Sequence, residues 1–397
     1  MSEISIVVVA YNRADSLNRL LQSLNKVNFM NDKVRLYISI DKDEKNIEKH
    51  NKVVKVANDF KWKYGEKIVN VERKNLGLKK HILQCGNLTN EYENVIVLED
   101  DLIVSPLIYI YAKQVLEFYK EEEKIAGFGL YSFQRNPLNN LPFYPMNDGS
   151  DVYFMQYACS WGQMWTKNQW NKFYNWYEED NNEDFSAINI PNNVKSWGSK
   201  SWLKYYIKYV IETNKYFVYP QFGLTSNFTD KGTHSNKRSS AYQCTSYYST
   251  DFIKFRFNEL SKSNSIYDAF FENIKMNDYL KLDKSIICDF WGERNLEKIK
   301  KENYLLSTRD YAYKIVKSYS LEMYPYELNV INNISGNDLK LYDLNIKSKN
   351  NKNKKTNLLK YSYKIDMMIR KQVITLIQEL VKDICSRIIE KVKRKRK

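Results

Sequence analysis

The stretch Val95-Ile-Val-Leu-Glu-Asp-Asp-Leu-Ile-Val-Ser-Pro106 constrains the fold more than any other, because four apolar residues deliver three consecutive carboxylates to a point where a strand should end. A short apolar run reads as a buried parallel strand, and open α/β sheets bind their ligands just outside the carboxyl ends of such strands. Glu99, Asp100 and Asp101 then face a cleft. Three like charges in sequence repel one another, so a cation, most simply a divalent ion carrying phosphates, should compensate them. The alternative is a solvated acidic turn.

The chain start repeats the pattern. Ile4-Ser-Ile-Val-Val-Val-Ala-Tyr-Asn-Arg13 is a second buried-strand run that breaks into polar residues, with Asp15 or Ser16 placed to cap a helix and Leu17, Leu20, Leu21 and Leu24 at helical spacing. Val34-Arg-Leu-Tyr-Ile-Ser-Ile40 then runs into Asp41, a carboxylate placed to accept hydrogen bonds from a nucleobase or ribose. Alternating strands and helices with acidic strand ends predict an α/β fold, a doubly wound and mostly parallel sheet with a nucleotide cleft. Neither common Gly-rich phosphate loop is present, so phosphate charge should be met by metal and cationic side chains.

Ala10-Tyr11-Asn12-Arg13, Asp41, Asn75-Leu-Gly-Leu-Lys-Lys-His81 and Glu99-Asp100-Asp101 together resemble GT-A (Rossmann-like) glycosyltransferases. The resemblance is to bacterial sugar transferases of the large inverting family 2 and to the Golgi N-acetylglucosaminyltransferase I, which carries a Glu-Asp-Asp form of the Asp-x-Asp motif. Ala158-Cys-Ser-Trp-Gly-Gln-Met-Trp165 resembles the acceptor-side segment of that group, Lys195-Ser-Trp-Gly-Ser-Lys-Ser-Trp202 its Trp-flanked catalytic helix start, and Gly232-Thr-His-Ser235 its closing loop. The likeness spans about residues 4 to 240.

The resemblance implies that Asp101 binds Mn2+ or Mg2+, and that Asp100 and Glu99 contact the ribose or donor sugar, with Asp100 and Asp101 as the catalytic pair. Ala10, Tyr11, Asn12 and Arg13 would form the nucleotide loop and Asp41 the base or ribose contact. Asn75, Gly77 and Lys79 would belong to the segment that closes over the nucleoside, and Trp161, Trp197 and Ser199 to the acceptor side. A UDP-sugar is the favoured donor and a saccharide or lipid-linked saccharide the acceptor. His234, in the polar loop after the strand Tyr216–Tyr219, would contact diphosphate or metal; a surface histidine without a role is the alternative. His50 and His81 read as structural, and Lys79 and Lys80 have a solvated helix face as their alternative.

One part of the family pattern is missing. Inverting transfer needs a carboxylate to take the proton from the acceptor hydroxyl, and relatives place an Asp next to the first Trp of the Trp-flanked helix. Here Lys195, Ser196, Gly198 and Ser199 surround Trp197. Asp151, Glu183 and Asp184 are the remaining candidates, and the base stays unassigned. A non-catalytic nucleotide-sugar or glycan-binding relative would account for the gap; a nucleotidyltransferase, a third reading, should show a basic Gly-rich loop where Tyr11-Asn12-Arg13 stands. The tryptophans Trp161, Trp165, Trp170, Trp176, Trp197 and Trp202 fall where the family binds acceptor, and aromatic faces stack on sugar rings; an ordinary aromatic core is the alternative for each.

Charge and cysteines bound the setting. Five cysteines at no metal-ligand spacing read as free thiols in a reducing cytosol. The sequence starts with a strand, without a basic-then-apolar signal, and no apolar run approaches the ~20 residues that cross a bilayer. Of the net charge of +15, residues 347–397 hold +13, from 17 Lys and Arg against 4 Asp and Glu. The remaining body is nearly neutral, so no nucleic acid is expected as partner. Four segments are predicted: a GT-A domain at 1–250, a mainly helical accessory extension at 251–346, a flexible basic linker at 347–357 and a basic amphipathic helix at 358–397. That helix suits an anionic membrane surface, with packing on the enzyme or pairing with a second copy as alternatives. The expected location is cytoplasmic, peripheral on the inner face of the cell membrane.

Overall fold

The computed structural model describes residues 3–179, 185, 186, 188–228, 230, 242–295, 297, 302–349, 356–362, 368 and 370–395. The chain divides into two compact units, Met1–Lys354 and Lys355–Lys397.

The first unit opens with β1 (Ser5–Ala10), α1 (Ala14–Leu24), β2 (Leu36–Ile40), α2 (Ile47–Asp59), β3 (Lys67–Val71), α3 (Leu78–Asn87) and α4 (Thr89–Tyr92). It continues through β4 (Asn94–Glu99), β5 (Leu102–Val104), α5 (Ile108–Phe118), β6 (Ile125–Gly129), β7 (Val152–Met155) and β8 (Gln163–Thr166). Then come α6 (Lys167–Glu179), α7 (Asn192–Lys195), α8 (Trp202–Glu212), β9 (Tyr216–Pro220), β10 (Thr225–Asn227) and β11 (Ile266–Tyr267). Among the described residues nine of these strands build one sheet in the order β11-β7-β9-β6-β8-β4-β1-β2-β3, and β10 and β5 pair separately. Five of its eight pairings are parallel, including the block β4-β1-β2-β3.

The apolar runs explain this sheet. All six residues of β1 are buried, as are the first five of β4, which is what a strand covered by helices on both faces requires. On α1, Leu17, Leu20, Leu21 and Leu24 are fully buried in one core cluster with Ile6, Val8, Ile38 and Leu98. The helix starts at Ala14 with no side-chain cap, so neither Asp15 nor Ser16 plays the capping role expected of them; Ser16 Oγ donates instead to Asp230 Oδ2 at 2.7 Å.

Residues 251–346 are not mainly helical. They hold β12 (Ile286–Asp289), β13 (Tyr304–Ser307), β14 (Tyr313–Tyr319) and most of β15 (Leu339–Lys347), which form a four-stranded sheet in the order β12-β13-β15-β14. Only the short helices Met276–Leu280 and Glu327–Ile331 interrupt them among the described residues. Within this extension, expected to be helical, β14 is strand: its Ile315-Val316 pair is β-branched, and its backbone pairs antiparallel with β15. The stretch 295–301 lies largely outside the described residues.

In the second unit a helix runs from Arg370 to Lys395. Ile374, Ile377, Leu380, Val381, Ile384 and Ile388 are all exposed on it. No helix among the described residues is long and apolar enough to cross a membrane.

A buried carboxyl opens the helix Glu327–Ile331. Burial pushes Glu327 up to about 7, against its hydrogen bonds with Tyr267 and Asn273. The folded chain therefore holds this proton more tightly than the unfolded chain, whose Glu titrates near ~4.3. Its contribution to stability is complete below that value and is lost as pH rises through 7. Glu327→Gln, which cannot ionise, should gain about 2 kcal/mol on the wild type between pH 5 and pH 8 in denaturant melts; an equal difference at both pH values would contradict this.

Candidate active site

Because β1 and β4 are parallel neighbours with Val9 opposite Glu99, their carboxyl ends open side by side. Arg13, at the turn from β1 into α1, spans the gap. Its Nη1 donates to Asp101 Oδ2 at 2.8 Å and its Nη2 to Asp100 Oδ1. The backbone holds both carboxylates in place: Asp100 N donates to Val9 O at 3.1 Å, and Asp101 O accepts from Phe228 N at 3.0 Å. The remaining oxygens, Asp100 Oδ2 and Asp101 Oδ1, are buried and have no hydrogen-bond partner among the described residues.

This cluster perturbs its own titration. Burial, then the charges of Asp101 and Asp100, push Glu99 up to about 8, against the opposing pull of Arg13 and a hydrogen bond from Ser160. Burial lifts Asp100 to about 6, with Arg13 opposing. Groups pulled this far in a cleft are candidates for chemistry.

The nucleotide-side candidates meet at the ends of β1 and β2. Ala10 O accepts from Asp41 N at 2.9 Å. Asp41 Oδ1 accepts from Leu76 N at 2.8 Å and its Oδ2 from Gly77 N at 3.0 Å, closing the turn before α3. Gly77 has φ +74° there, a backbone that glycine takes without strain. Asn75 Nδ2 reaches Lys42 O at 2.6 Å. Asn12 Nδ2 donates to Asp43 Oδ2 at 2.7 Å, and burial together with the Asp43 charge pushes the Tyr11 hydroxyl up to about 12. Asp43 escaped the sequence reading although it lies two residues past Asp41; it holds the Tyr11-Asn12 turn. His81 is buried against Ser39 Oγ at 2.8 Å, and burial lowers its pKa, as suits a structural histidine.

Lys79 is not a solvated helix charge. Its Nζ donates to Ser199 O at 3.1 Å and lies 4.3 Å from the Tyr205 ring centroid. It thus joins the turn before α3 to the segment holding Trp197 and Ser199. Lys80 is exposed.

Trp161 stands beside the acidic triplet, since the preceding Ser160 bonds Glu99. Its ring contacts Tyr131 and Tyr242, each at 4.8 Å between centroids. Trp165, Trp170 and Trp202, in contrast, are fully buried and packed on one another and on Tyr206, so they form core rather than a sugar platform. Asp151 cannot serve as the base. Its carboxylate accepts from Arg256 N at 2.7 Å, and β7, which it precedes, lies four strands from β4, roughly 19 Å away. Glu183, Asp184 and His234 lie outside the described residues.

Among the described residues no group of three or more His, Cys, Asp or Glu is disposed to hold a metal by itself. The Asp100–Asp101 pair nevertheless fits Mg2+ or Mn2+, hard ions that bind through one or two carboxylates and take further ligands from substrate phosphates and water. The two bare oxygens are what such an ion would use. A cleft of about 690 Å3 opens at the other end of the sheet beside Glu3, Asn94, Ile125 and Thr166. Its Lys and Glu side chains include the pairs Lys167–Glu93 and Lys172–Glu123.

No protein-family model matches the sequence, and no curated protein does. Solved structures with a similar fold include Staphylococcus aureus TarS 1–349 in complex with UDP-GlcNAc, at 13% identity and TM-score 0.38 over 58% of this chain and 60% of that one. The mannosyltransferase PcManGT from Pyrobaculum calidifontis, in complex with GDP-Man and Mn2+, gives 12% identity and TM-score 0.29 over 42% of this chain and 45% of that one. This chain thus spans about three-fifths of the TarS structure. Overlaps of this size leave function to the site itself.

Gly162 is essential to the Trp161 wall. It adopts φ +93°, and a Cβ there would stand 2.7 Å from Thr225 Cγ2. Thr225 cannot yield easily, because its Oγ1 donates to Trp161 O at 2.5 Å. Gly162→Ala should therefore cost about 2 kcal/mol in urea unfolding; an unchanged midpoint and slope would contradict the packing described.

Proposed function

We propose that this chain is a metal-dependent glycosyltransferase. It moves a sugar from a nucleoside-diphosphate donor, a UDP-sugar by preference, to a saccharide or lipid-linked saccharide acceptor. The observation that carries the reading is the pair of buried oxygens, Asp100 Oδ2 and Asp101 Oδ1, at the carboxyl end of β4, which have no hydrogen-bond partner among the described residues. A divalent ion, Mn2+ or Mg2+, would act there as a Lewis acid for the charge that develops on the departing diphosphate. Tyr11, Asn12 and Arg13 line the nucleotide side, and the Asn75–Lys79 turn, fixed by Asp41, borders the nucleoside. Glu99 faces the sugar, and Trp161, Trp197 and Ser199 border the acceptor. Surface polysaccharide assembly, with inversion at the anomeric carbon, is the setting in which such residues would act.

A second reading has its own observation. No carboxylate occurs from Lys195 to Ser199, where inverting relatives keep their base, and a chain lacking it would bind a nucleotide sugar without transferring it. Release of UDP from UDP-sugar in the presence of candidate acceptors separates the two.

Asp101→Asn keeps the side-chain shape and removes the charge. It should weaken Mn2+-dependent UDP binding roughly hundredfold in calorimetry, with the far-ultraviolet spectrum unchanged. Undiminished affinity would overturn the metal assignment.

The C-terminal unit supports a membrane-surface role for the same enzyme. Its exposed apolar side chains lie on a helix that, with the two residues after it, carries ten Lys and Arg against three Asp and Glu. Each basic residue near an anionic surface contributes about 1 kcal/mol. The full chain should float with anionic vesicles at low salt and not with neutral ones. Dimerisation independent of lipid would instead support pairing through this helix. The five cysteines are free, in keeping with a reducing compartment.

A further inference from the structure

We infer that Arg13 is a built-in stand-in for the metal: it partly compensates Asp100 and Asp101 in the ligand-free chain and gives way when a divalent ion arrives with nucleotide. The inference rests on the transferase reading above.

The geometry is that of a fork between two carboxylates. One guanidinium nitrogen takes an oxygen of Asp101 and the other an oxygen of Asp100, so each carboxylate keeps one oxygen bare. Leaving both carboxylates buried and uncompensated would be strongly unfavourable, and a planar guanidinium is the side chain best shaped to satisfy two acceptors at once.

The two sides of this contact differ in mobility. Asp100 and Asp101 are 2% and 8% exposed and are tied by their backbones to Val9 and Phe228. The Arg13 side chain is 23% exposed and projects from the turn between β1 and α1. Rotations about its own long stem can carry it off the carboxylates without moving a strand. A divalent ion can then replace its charge, and the freed guanidinium meets the incoming diphosphate, a bidentate partner that it suits. The carboxylates keep a cation at each stage: one positive charge against their two before binding, and a dication there with the guanidinium on phosphate afterwards.

The consequence is an order of binding. Metal alone must displace Arg13 from its carboxylates with no phosphate offered in return, so the free protein should bind the ion weakly. Metal with nucleotide offers Arg13 a second partner and should bind tightly. An ion pair serving only to hold the fold would show no such link.

The test measures free Mn2+ by electron paramagnetic resonance during titration of the full chain, with and without UDP. The wild type should bind Mn2+ poorly alone and at least about tenfold better with UDP. Arg13→Gln should bind Mn2+ alone about tenfold more tightly than wild type, the factor expected from losing a charge-assisted competitor, and should show a much smaller gain from UDP. Arg13→Lys keeps one positive charge but not the fork and should fall between them; if Arg13→Gln does not fold, Arg13→Lys alone must still bind Mn2+ more tightly than wild type. Unchanged or weaker Mn2+ binding in these variants, with wild type binding Mn2+ and UDP together, would overturn the exchange and leave the transferase reading standing. Wild type that binds no Mn2+ even with UDP would overturn both.

Discussion

Three adjacent carboxylates at the carboxyl end of a buried strand are the constraint around which this protein is arranged. Charge of one sign cannot be packed under a sheet without compensation, and the chain answers from the neighbouring strand, through Arg13 at the end of β1. That answer is partial: it satisfies one oxygen of each aspartate and leaves the others facing inward. A buried acceptor without a partner is costly, and it persists where something else is meant to fill it. The proposed enzymatic reading follows from that incompleteness.

The fold delivers the rest of the site by register. The parallel block β4-β1-β2-β3 puts the ends of β1, β2 and β4 on one rim, so the Tyr11–Arg13 turn, Asp41 and the acidic triplet are neighbours although some sixty residues separate the last two. β10 then pairs with β5, bringing Thr225 and Phe228 against Trp161 and Asp101. The Lys79–Ser199 bond closes the far side. Each wall is held by backbone or short polar bonds, the rigidity a site needs when geometry carries the chemistry.

Much of this was legible in the residues. Continuous apolar runs gave β1, β2 and β4, and the acidic strand ends gave the rim, because buried parallel strands need no alternation to be recognised. The Leu17–Leu24 stripe gave α1, but not its uncapped start, since Ser16 bonds Asp230, more than two hundred residues away, and local pattern cannot report such a partner. The same limit hid the roles of Asp43 and Ser160. Tryptophans were harder to sort. Trp161 and Trp165 are four residues apart, yet one stands beside Ser160 and the acidic triplet and the other is fully buried in an aromatic core; composition cannot separate them because Trp161 lies in the bend before β8 and Trp165 within the strand. The sheet at 286–347 was missed because β14 is largely exposed and lacks a clean apolar alternation, so its pairing with β15, a tertiary fact, decides its state.

The most direct test of the account is a crystal of the full chain grown with Mn2+ and UDP, with anomalous scattering measured at the manganese edge. The account predicts one strong peak within coordination distance of Asp101, close to Asp100 Oδ2 and bridged to the diphosphate, with Arg13 withdrawn from both carboxylates. A peak elsewhere in the molecule, or bound UDP with no metal at Asp101, would contradict it.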